Sequence, residues 1–501
     1  MLELLEVDMT ASVWHYKAEG GSSIVLSYAG TTENLRGKVL RISKSSLVGH
    51  PIAKRTTNDL LFASHFQHLI PSGSAPVLVN VTPSFLARIA SSIEPVRPAC
   101  RRESAAIDLH NPCAVLLEDS TVLPGPENIP AIHRTIGIEI KPKIGFPEFR
   151  CPTGPLCRYS LMQALKLGAG VPDAHVRSSY CPVAFFSADR ARRLRSLRAL
   201  FECPQNNFRL FVDGCLHSLP SHGSARALDS FELALRSLGW TVEEALVATC
   251  DLLHDSGVLV NLAAIQQLDQ VGIYRISILY ESIILTLNQF LRPGGSPETL
   301  NLLLRAVNCR EVPKASLALL LDELFEPDLT ARTALSYLTA QHAEAHVRET
   351  SCCCGELQIC LEQLARSGRI PKSLDGLSGF GANLVDERPK SAPSPMFRFF
   401  WGEAPGEPQV LVNHNLDNGA LKDWCTAVNE VRCFLCSDTA KDCSLLIAIG
   451  ARLPAGSAAG RVRVIDLDAK HHSRIPRWKR LEDRLLEAVT TLEESSLTAS
   501  S

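Results

Sequence analysis

The chain has 501 residues, of which 46% are hydrophobic and 21% are charged, and its formal net charge at pH 7 is −2. This length exceeds what one hydrophobic core supports, so two or more structural units are expected. A net charge this close to zero argues against a surface that binds nucleic acids or anionic membranes through general positive charge. Any site for a strongly anionic ligand therefore has to be a local cluster of basic side chains.

The first 125 residues predict a β-rich unit. Apolar runs alternate with polar or glycine-containing turns, which is the pattern of a β-meander. A Pro/Gly break at 124–126 ends the pattern, and we place the boundary of this unit at 125. The predicted elements are strands at 14–16, 24–28, 38–42, 77–81 and 114–119 and a helix over 57–70.

Residues 126–501 predict a larger, helix-rich unit. Apolar residues at three- and four-residue spacing favour helices through most of 231–338. The segment 340–440 contains a Cys-, Ser-, Gly- and Pro-rich stretch that is typical of an insertion. The predicted elements here are strands at 136–143, 208–212, 443–449 and 461–468, a loop over 147–157, and helices over 159–167 and 480–493.

The N-terminus and the cysteines bear on the cellular compartment. Residues 1–10 carry acidic side chains where a secretory signal needs a basic and then an apolar region, so secretion is not expected. The apolar stretch at 276–290 is interrupted by polar residues and predicts a buried helix. We expect a cytoplasmic or nuclear protein whose seventeen cysteines stay reduced, and nothing demands more than a monomer.

A glycine turn between two predicted strands is the first candidate for phosphate binding. Gly20 and Gly21 would let backbone N–H groups approach a phosphate closely, and Arg41 on the next strand would add a cation. This is the layout of a kinase-type phosphate flap, although a glycine pair in a hairpin is most often only a turn. The sequence has no GxxxxGK[ST] motif, which argues against a P-loop nucleotide-binding protein.

Two short segments could bind a compact polyanion. Lys141 and Lys143 flank a proline at the end of an apolar strand, where alternation would place both on one side. Asn206 and Asn207 precede Arg209 at the start of another strand. Amides hydrogen-bond to hydroxyl and phosphate oxygens, and arginine can bind phosphate with two hydrogen bonds. A solvated strand end and an ordinary asparagine turn are the alternatives.

Two aspartates near the C-terminus give the strongest indication of catalysis. Asp442 begins one apolar strand, and Asp466 lies at the end of the next, where core packing does not explain an acid. Phosphoryl transfer needs one carboxylate to orient or deprotonate the attacking hydroxyl and another to hold Mg²⁺ against the phosphates. The basic segment that follows would place Lys470, Arg474 and Trp478 on one face if it is helical. A solvated basic linker is the alternative.

A zinc site is the weaker metal candidate. His342 and His346 have the HxxxH spacing that suits one helix face, and Cys352, Cys353 and Cys354 follow them. HExxH is absent, however, and three adjacent cysteines lack the CxxC spacing of structural zinc sites. A structural zinc ion here is therefore the less favoured interpretation.

Taken in order, these segments resemble the inositol-pentakisphosphate 2-kinase family. The resemblance runs from residue 1 to about 480, and its most specific motifs are EIKPKIGF at 139–146 and PQNNFR at 204–209. The other motifs are 19–21, 37–42, 157–159 with Met162, Gln163 and Lys166, 441–444, and 465–467 with Lys470 and Arg474.

The resemblance implies an α+β, two-lobed protein-kinase-like fold, with a β-rich N-lobe over 1–125 and a larger mixed, helix-rich C-lobe over 126–501. It implies that ATP binds between the lobes and that Mg²⁺ assists transfer to the 2-hydroxyl of inositol 1,3,4,5,6-pentakisphosphate, which gives inositol hexakisphosphate and ADP. Asp442 and Lys141 would be catalytic, and Asp466 would bind the metal. The ATP contacts would be Gly20, Gly21, Ser23, Arg41, Asp119, Glu139 and Arg209. The inositol phosphate contacts would be Arg102, Lys141, Lys143, Lys166, Asn206, Asn207, Lys470, Arg474 and Trp478.

Two other functions stand against this one. A scaffold that binds inositol phosphates without catalysis would gain from losing acids beside a polyanion, so the presence of Asp442 and Asp466 argues against it. A protein kinase is disfavoured because the sequence has no HRD or DFG segment. We expect ATP and inositol pentakisphosphate as small-molecule substrates, and neither nucleic acid nor a membrane as partner.

Overall fold

The structure is a computed structural model of mixed α and β composition. Its described part contains two five-stranded antiparallel sheets, a small two-stranded hairpin and a larger number of helices. It describes residues 10–45, 62–71, 76–103, 105–123, 134–147, 149–151, 154–168, 178–205, 207–217, 225–310, 316–341, 407–412, 417–451 and 459–485. The strands are β1 (Trp14–Glu19), β2 (Ser23–Tyr28), β3 (Lys38–Ser43), β4 (Val77–Asn80), β5 (Cys113–Glu118), β6 (Thr135–Ile140), β7 (Phe149–Cys151), β8 (Gly154–Leu156), β9 (Phe208–Val212), β10 (Cys215–His217), β11 (Ser444–Gly450) and β12 (Gly460–Ile465).

Most of the described helices lie in the part of the chain that also forms the second sheet. They are α1 (Pro83–Ile93), α2 (Ala99–Arg102), α3 (Arg158–Gly168), α4 (Pro182–Phe186), α5 (Arg190–Glu202), α6 (Ala225–Arg236), α7 (Val242–Asp255), α8 (Val258–Gln266), α9 (Gly272–Leu291), α10 (Pro297–Ala306), α11 (Leu317–Leu324), α12 (Pro327–Gln341), α13 (Asn418–Lys441) and α14 (475–485). Across the described ranges no single helix has the length and apolar character of a membrane span, whereas the bent pair α7 and α8, at 62°, passes that test.

The first sheet has the order β1-β2-β3-β5-β4, and every neighbouring pair is antiparallel. Alternate side chains of its strands point into a core that α1 covers, including Leu26, Leu40 and Leu116. The helix begins where the Thr82 side chain accepts a hydrogen bond from the Phe85 amide at 3.2 Å, with a proline at its first position. The β-rich character predicted for the first unit is therefore confirmed.

The second sheet has the order β10-β9-β6-β11-β12 and is also antiparallel throughout. All six residues of β6 and all seven of β11 are buried, because helices cover the central strands. Strands β9 and β10 are joined by Asp213 and Gly214, whose φ angles of 49° and 80° suit a two-residue hairpin turn.

The longest helix, α13, lies between two parts of the core. Cys433 and Cys436 pack with the second sheet, whereas Trp424 and Val428 pack with α9 and α10. The Trp424 indole N–H donates to the Leu303 carbonyl at 3.0 Å, which fixes the helix along its length. The helix ends two residues before β11, so its position determines where Asp442 and Cys443 lie.

Several sequence predictions need correction at the ends of elements. The strands predicted over 136–143 and 461–468 end at Ile140 and Ile465, and the loop predicted over 147–157 contains the β7–β8 hairpin. Residues 62–65 are helical as predicted, and the last predicted helix begins at 475 instead of 480. Residues 418–440, at the end of the expected insertion, belong to α13, whereas 342–406 and 57–61 lie outside the described residues.

We predict that Gly137→Ala destabilises the second sheet. Gly137 lies in the central strand β6, and a Cβ atom there would be 2.9 Å from the Thr121 carbonyl oxygen and 3.1 Å from the Thr121 Cα. Because both are backbone atoms in a packed region, the free energy of unfolding should fall by about 1–3 kcal/mol in a urea titration. Gly20→Ala is the matched control, since nothing lies within 4 Å of its added Cβ. Equal stability of the two variants would contradict this packing.

Candidate functional site

Two aspartates and three lysines from four segments meet at one edge of the second sheet. Asp442 follows α13 and Asp466 follows β12, and the two strands pair so that Ser444 lies opposite Ile465. On its other side β11 pairs with β6, with Leu445 opposite Ile140. The antiparallel register therefore brings residues that are more than 300 positions apart in sequence to the same edge.

Each aspartate of this group has a lysine beside it. The Lys470 Nζ lies 2.8 Å from Asp442 Oδ2, and the Lys143 Nζ lies 3.8 Å from Asp442 Oδ1. The Lys141 Nζ lies 3.9 Å from Asp466 Oδ2. We call these five residues the charged cluster. It contains three cations and two anions, so the aspartates neutralise most of its positive charge.

The lysines keep Asp442 ionised. Desolvation raises the pKa of its carboxyl, but the ammonium groups of Lys470, Lys143 and Lys141 outweigh that effect and lower the pKa to about 2. The carboxylate is therefore charged at every physiological pH. It can accept hydrogen bonds, and it is a weak base as long as the lysines remain its partners.

Unusual backbone conformations direct two members of the charged cluster. Lys143 and Asp466 have φ angles of 63° and 61°, which non-glycine residues rarely adopt and which cluster at functional sites. The prediction that strand alternation places Lys141 and Lys143 on one side is therefore wrong. The strand ends at Ile140, and the two lysines approach different aspartates.

A buried glutamate connects the charged cluster to β9. Glu139 is 5% exposed and lies opposite Arg209 in the sheet, with Arg209 Nη1 3.4 Å from Glu139 Oε2. The Ser444 hydroxyl lies 3.1 Å from Glu139 Oε1 and 3.3 Å from Asp466 Oδ2, so it can donate to either carboxylate. These contacts limit the positions that Asp466 and Arg209 can take.

The first sheet contributes the glycine turn. Gly20 and Gly21 lie between β1 and β2, and a Cβ atom at either position would have nothing within 4 Å, so the turn is open to a ligand. Arg41 donates from Nε to the Ser23 hydroxyl at 3.0 Å, and its Nη2 pairs with the carboxylate of Asp468. The turn is thereby linked to the segment that follows Asp466.

Sequence reasoning missed Asp468. It is two residues beyond Asp466, and this acid–Leu–acid spacing was the available signal for a second carboxylate on the same side of an extended chain.

Sequence reasoning also missed a buried network below the glycine turn, in which Glu19 pairs with Lys44 and with Arg97 Nη2 at 3.1 Å. Lys44 donates to the Gly20 carbonyl at 2.8 Å and so holds the turn from below.

Asp119 lies in a buried network between the two sheets. It is 7% exposed, and its carboxylate accepts hydrogen bonds from Lys17 Nζ at 2.9 Å and from the Thr121 hydroxyl at 2.5 Å. Lys17 also contacts the carbonyl of Gly214, and Arg461 donates to the Asp119 carbonyl at 2.7 Å. These contacts join the two sheets and give Asp119 a structural role, whereas its contact with a nucleotide stays a prediction.

Three of the other predicted residues follow Asp466 in the sequence. Lys470 lies in an irregular segment, Arg474 in a 3₁₀ turn and Trp478 in α14, so the three do not share one continuous helical face. The reason is Pro476, which lacks an N–H and suits the start of a helix better than its interior. The Trp478 ring packs 5.6 Å from the Phe434 ring, in the core beside α13.

The remaining predicted contacts to the inositol phosphate are Asn206, Asn207, Arg102 and Lys166. Asn207 is 1% exposed, and among the described residues neither polar atom of its amide has a partner with good hydrogen-bond geometry, although its backbone carbonyl accepts from the Lys141 backbone N–H at 2.9 Å. Arg102 is exposed at the end of α2. Outside the described residues or side chains lie Asn206, Lys166, His342, His346, Cys352, Cys353 and Cys354.

The chain is similar to a group of proteins with one description. Residues 16–484 match the family described as inositol-pentakisphosphate 2-kinase. An inositol-pentakisphosphate 2-kinase of Oryza sativa subsp. indica is 28% identical over 326 residues, which cover 56% of this chain and 72% of that protein. The Arabidopsis thaliana protein of that description is 29% identical over 321 residues, with 54% and 70% covered. One from Danio rerio is 29% identical over 228 residues, with 42% and 45% covered.

We predict that the Lys17–Asp119 pair stabilises the fold as a unit. Lys17→Met or Asp119→Asn alone leaves one buried charge unpaired, so each should lower the free energy of unfolding by about 3–5 kcal/mol. The double variant should lose less than the sum, which a double-mutant cycle in urea measures. If Asp119 served mainly as a nucleotide contact, Asp119→Asn would keep its stability and raise the KM for ATP instead.

Proposed function

The chain belongs to the inositol-pentakisphosphate 2-kinase family, and we propose that its charged cluster is where the γ-phosphoryl group of ATP passes to the 2-hydroxyl of inositol 1,3,4,5,6-pentakisphosphate. The observation that carries this proposal is the pair of aspartates at one sheet edge, each with a lysine within 4 Å. Phosphoryl transfer needs this combination of carboxylates and cations, because catalysis depends on positioning and charge stabilisation.

The two sheets correspond in this proposal to the two lobes of a kinase-like fold, with an N-lobe over 1–125 and a C-lobe over 126–501. In support, the glycine turn of the first sheet reaches the segment after β12 through the Arg41–Asp468 pair. ATP would lie where these elements meet, with its phosphates below Gly20, Gly21 and Ser23. The nearby Glu139 and Arg209 pair would lie beside the nucleotide.

Asp442 would act on the attacking hydroxyl. With a pKa of about 2 it cannot remove the proton of an alcohol at neutral pH before transfer begins. In a loose transition state, however, the hydroxyl becomes acidic only as its bond to phosphorus forms, so a carboxylate that orients it and accepts the proton late is sufficient. Bound substrate phosphates would also draw Lys143 and Lys470 away from Asp442 and make the carboxylate more basic.

The lysines would hold the ring phosphates. Lys141, Lys143 and Lys470 already converge on one edge, and charge-assisted hydrogen bonds of this kind contribute about 1.5–3 kcal/mol each. Lys141 would additionally lie next to the transferred phosphoryl group, because it pairs with Asp466. The amide of Asn207 has no partner with good hydrogen-bond geometry among the described residues and adjoins Lys141, so a bound phosphate could satisfy it after a small movement.

Asp466 fits a magnesium ligand. Its side chain is 47% exposed, and carboxylate oxygen atoms are what Mg²⁺ prefers. When bound, the cation would neutralise the charge that develops on the transferred phosphoryl group. Ser444 and Lys141 would keep the carboxylate aimed at the site through the contacts described above.

We expect Asp442→Asn to remove turnover and keep substrate binding. The amide has the size of the carboxylate but cannot accept the hydroxyl proton, so kcat should fall by about 10²–10⁴-fold. Loss of a negative charge should leave the Kd for inositol pentakisphosphate unchanged or lower it. Anion-exchange chromatography of the products and calorimetric titration of the substrate measure the two quantities.

Asp251→Asn is the matched control for this test, because Asp251 is on α7 and forms only an exposed pair with Arg190. Its turnover should equal that of the wild type. Wild-type turnover in Asp442→Asn would refute the role of that carboxylate. Substrate binding without any product in the wild type would favour the scaffold alternative.

We expect Asp466→Asn to raise the magnesium requirement. Removal of one anionic ligand weakens Mg²⁺ binding, so the half-maximal Mg²⁺ concentration at fixed ATP should rise at least about tenfold, which corresponds to roughly 1.4 kcal/mol. Asp468→Asn is the control two residues away. It should leave the Mg²⁺ dependence unchanged and alter the KM for ATP, because Asp468 pairs with Arg41. An unchanged Mg²⁺ dependence in Asp466→Asn would contradict the assignment.

A further inference from the structure

One carboxylate and two imidazoles converge at the segment that directly follows Lys470 of the charged cluster. Asp322 lies on α11, and His471 and His472 lie just before α14. The Nε2 atoms of His471 and His472 are 3.2 Å and 3.0 Å from the same oxygen, Asp322 Oδ1. The three potential ligand atoms all lie within 4.8 Å of one another. We call this group the His–Asp cluster.

The far side of each imidazole is held in place. His472 is 5% exposed, its Nδ1 lies 2.9 Å from the buried Tyr280 hydroxyl, and its ring packs 5.5 Å from the Phe325 ring. The His471 Nδ1 lies 2.8 Å from the Ser473 hydroxyl. In metal sites the nitrogen that does not bind the metal usually has such a partner, which fixes the tautomer and the direction of the ring.

We propose that Asp322, His471 and His472 bind a divalent transition-metal ion, preferably Zn²⁺. Two imidazole nitrogens and one carboxylate oxygen are a common zinc ligand set, with water in the fourth position. Ligand atoms around tetrahedral zinc are about 3.4 Å apart, and both Asp322–His distances are already close to that value. The separation of the two imidazole ligand atoms is at most 4.8 Å, so zinc binding would require a shift of no more than about 1.4 Å between them.

Proton balance is consistent with this assignment. Without a metal, both Nε2 atoms carry hydrogens that point at one carboxylate oxygen. Metal binding places lone pairs there instead, and each neutral ring then carries its proton on Nδ1, which donates to Tyr280 or Ser473. A ring that was protonated on both nitrogens releases one proton to solvent. The Tyr280 hydroxyl therefore suits the tautomer that a metal requires at His472. At His471, Nδ1 now accepts from the Ser473 backbone N–H at 3.3 Å, so metal binding would replace that contact by donation to the Ser473 hydroxyl.

The position of the His–Asp cluster gives the ion a structural role. It would fasten α11 to the short segment that carries Lys470 and Arg474 on either side of the two histidines. The significance for substrate binding depends on the proposed function, but metal binding itself does not. The ion would be separate from Mg²⁺ at Asp466, and its ligands differ from the cysteine-containing stretch considered in the sequence.

The test measures metal directly, without substrate. The full chain is dialysed against a chelator and then against Zn²⁺, and bound metal per chain is determined by mass spectrometry. Co²⁺ is loaded in parallel, because tetrahedral Co²⁺ absorbs strongly in the visible range and thiolate ligands add a charge-transfer band. We expect about one equivalent of metal and a visible spectrum without the thiolate band.

Two variants and two controls decide the result. His471→Gln and Asp322→Asn change exposed side chains, so they should fold and should lower metal affinity at least about tenfold. His65→Gln, which disturbs a comparable His65–Asp328 pair of 2.6 Å that has no second histidine, should keep the metal. The triple variant Cys352→Ser, Cys353→Ser, Cys354→Ser should also keep it. Absence of metal in the wild type, retention in both cluster variants, or loss only in the triple variant would overturn the proposal.

Discussion

The site depends on the double pairing of β11. This strand is buried along all seven residues and is hydrogen-bonded to β6 on one side and to β12 on the other. Every group of the charged cluster lies just beyond one end of these three strands or of α13, so their positions follow from the register. A slip of β12 by one residue would exchange its buried Val462 and Val464 for Arg461 and Arg463, so the alternation of β12 fixes the register that positions the charged residues beyond these strands.

Under the proposed function, charge compensation within the cluster would allow a chain of net charge −2 to bind a polyanion. The lysines are concentrated at one edge, and the two aspartates hold them there through ion pairs. A ligand with several phosphates can replace these contacts because the aspartate side chains are about half exposed, and exposed ion pairs contribute little stability. Binding of the substrate and activation of Asp442 would then be one event, since the phosphates would draw away the lysines that lower the pKa of its carboxyl.

Much of this arrangement could be predicted from local sequence. Apolar runs located every strand of both sheets that contributes a proposed site residue, and an acid at the end of an apolar run identified Asp442 and Asp466. Local sequence could not predict the direction of side chains beyond the end of a strand. Lys143 has a positive φ, and because it is not a glycine, nothing in the sequence indicates that conformation. Pairs such as Arg41 with Asp468, or Asp322 with two histidines, are also invisible, since each unites segments more than 140 residues apart.

Two of the contacts between the sheets differ in how far they are buried. The side chains of Lys17 and Asp119 are 6% and 10% exposed, and a buried pair of this kind is costly to break because either charge alone would be desolvated. The side chains of Arg41 and Asp468 are 22% and 21% exposed, and phosphate could replace the carboxylate as the partner of Arg41. One connection is therefore permanent and the other exchangeable. Under the proposed function, ATP would exchange the Arg41 contact while Lys17 and Asp119 keep the sheets in register.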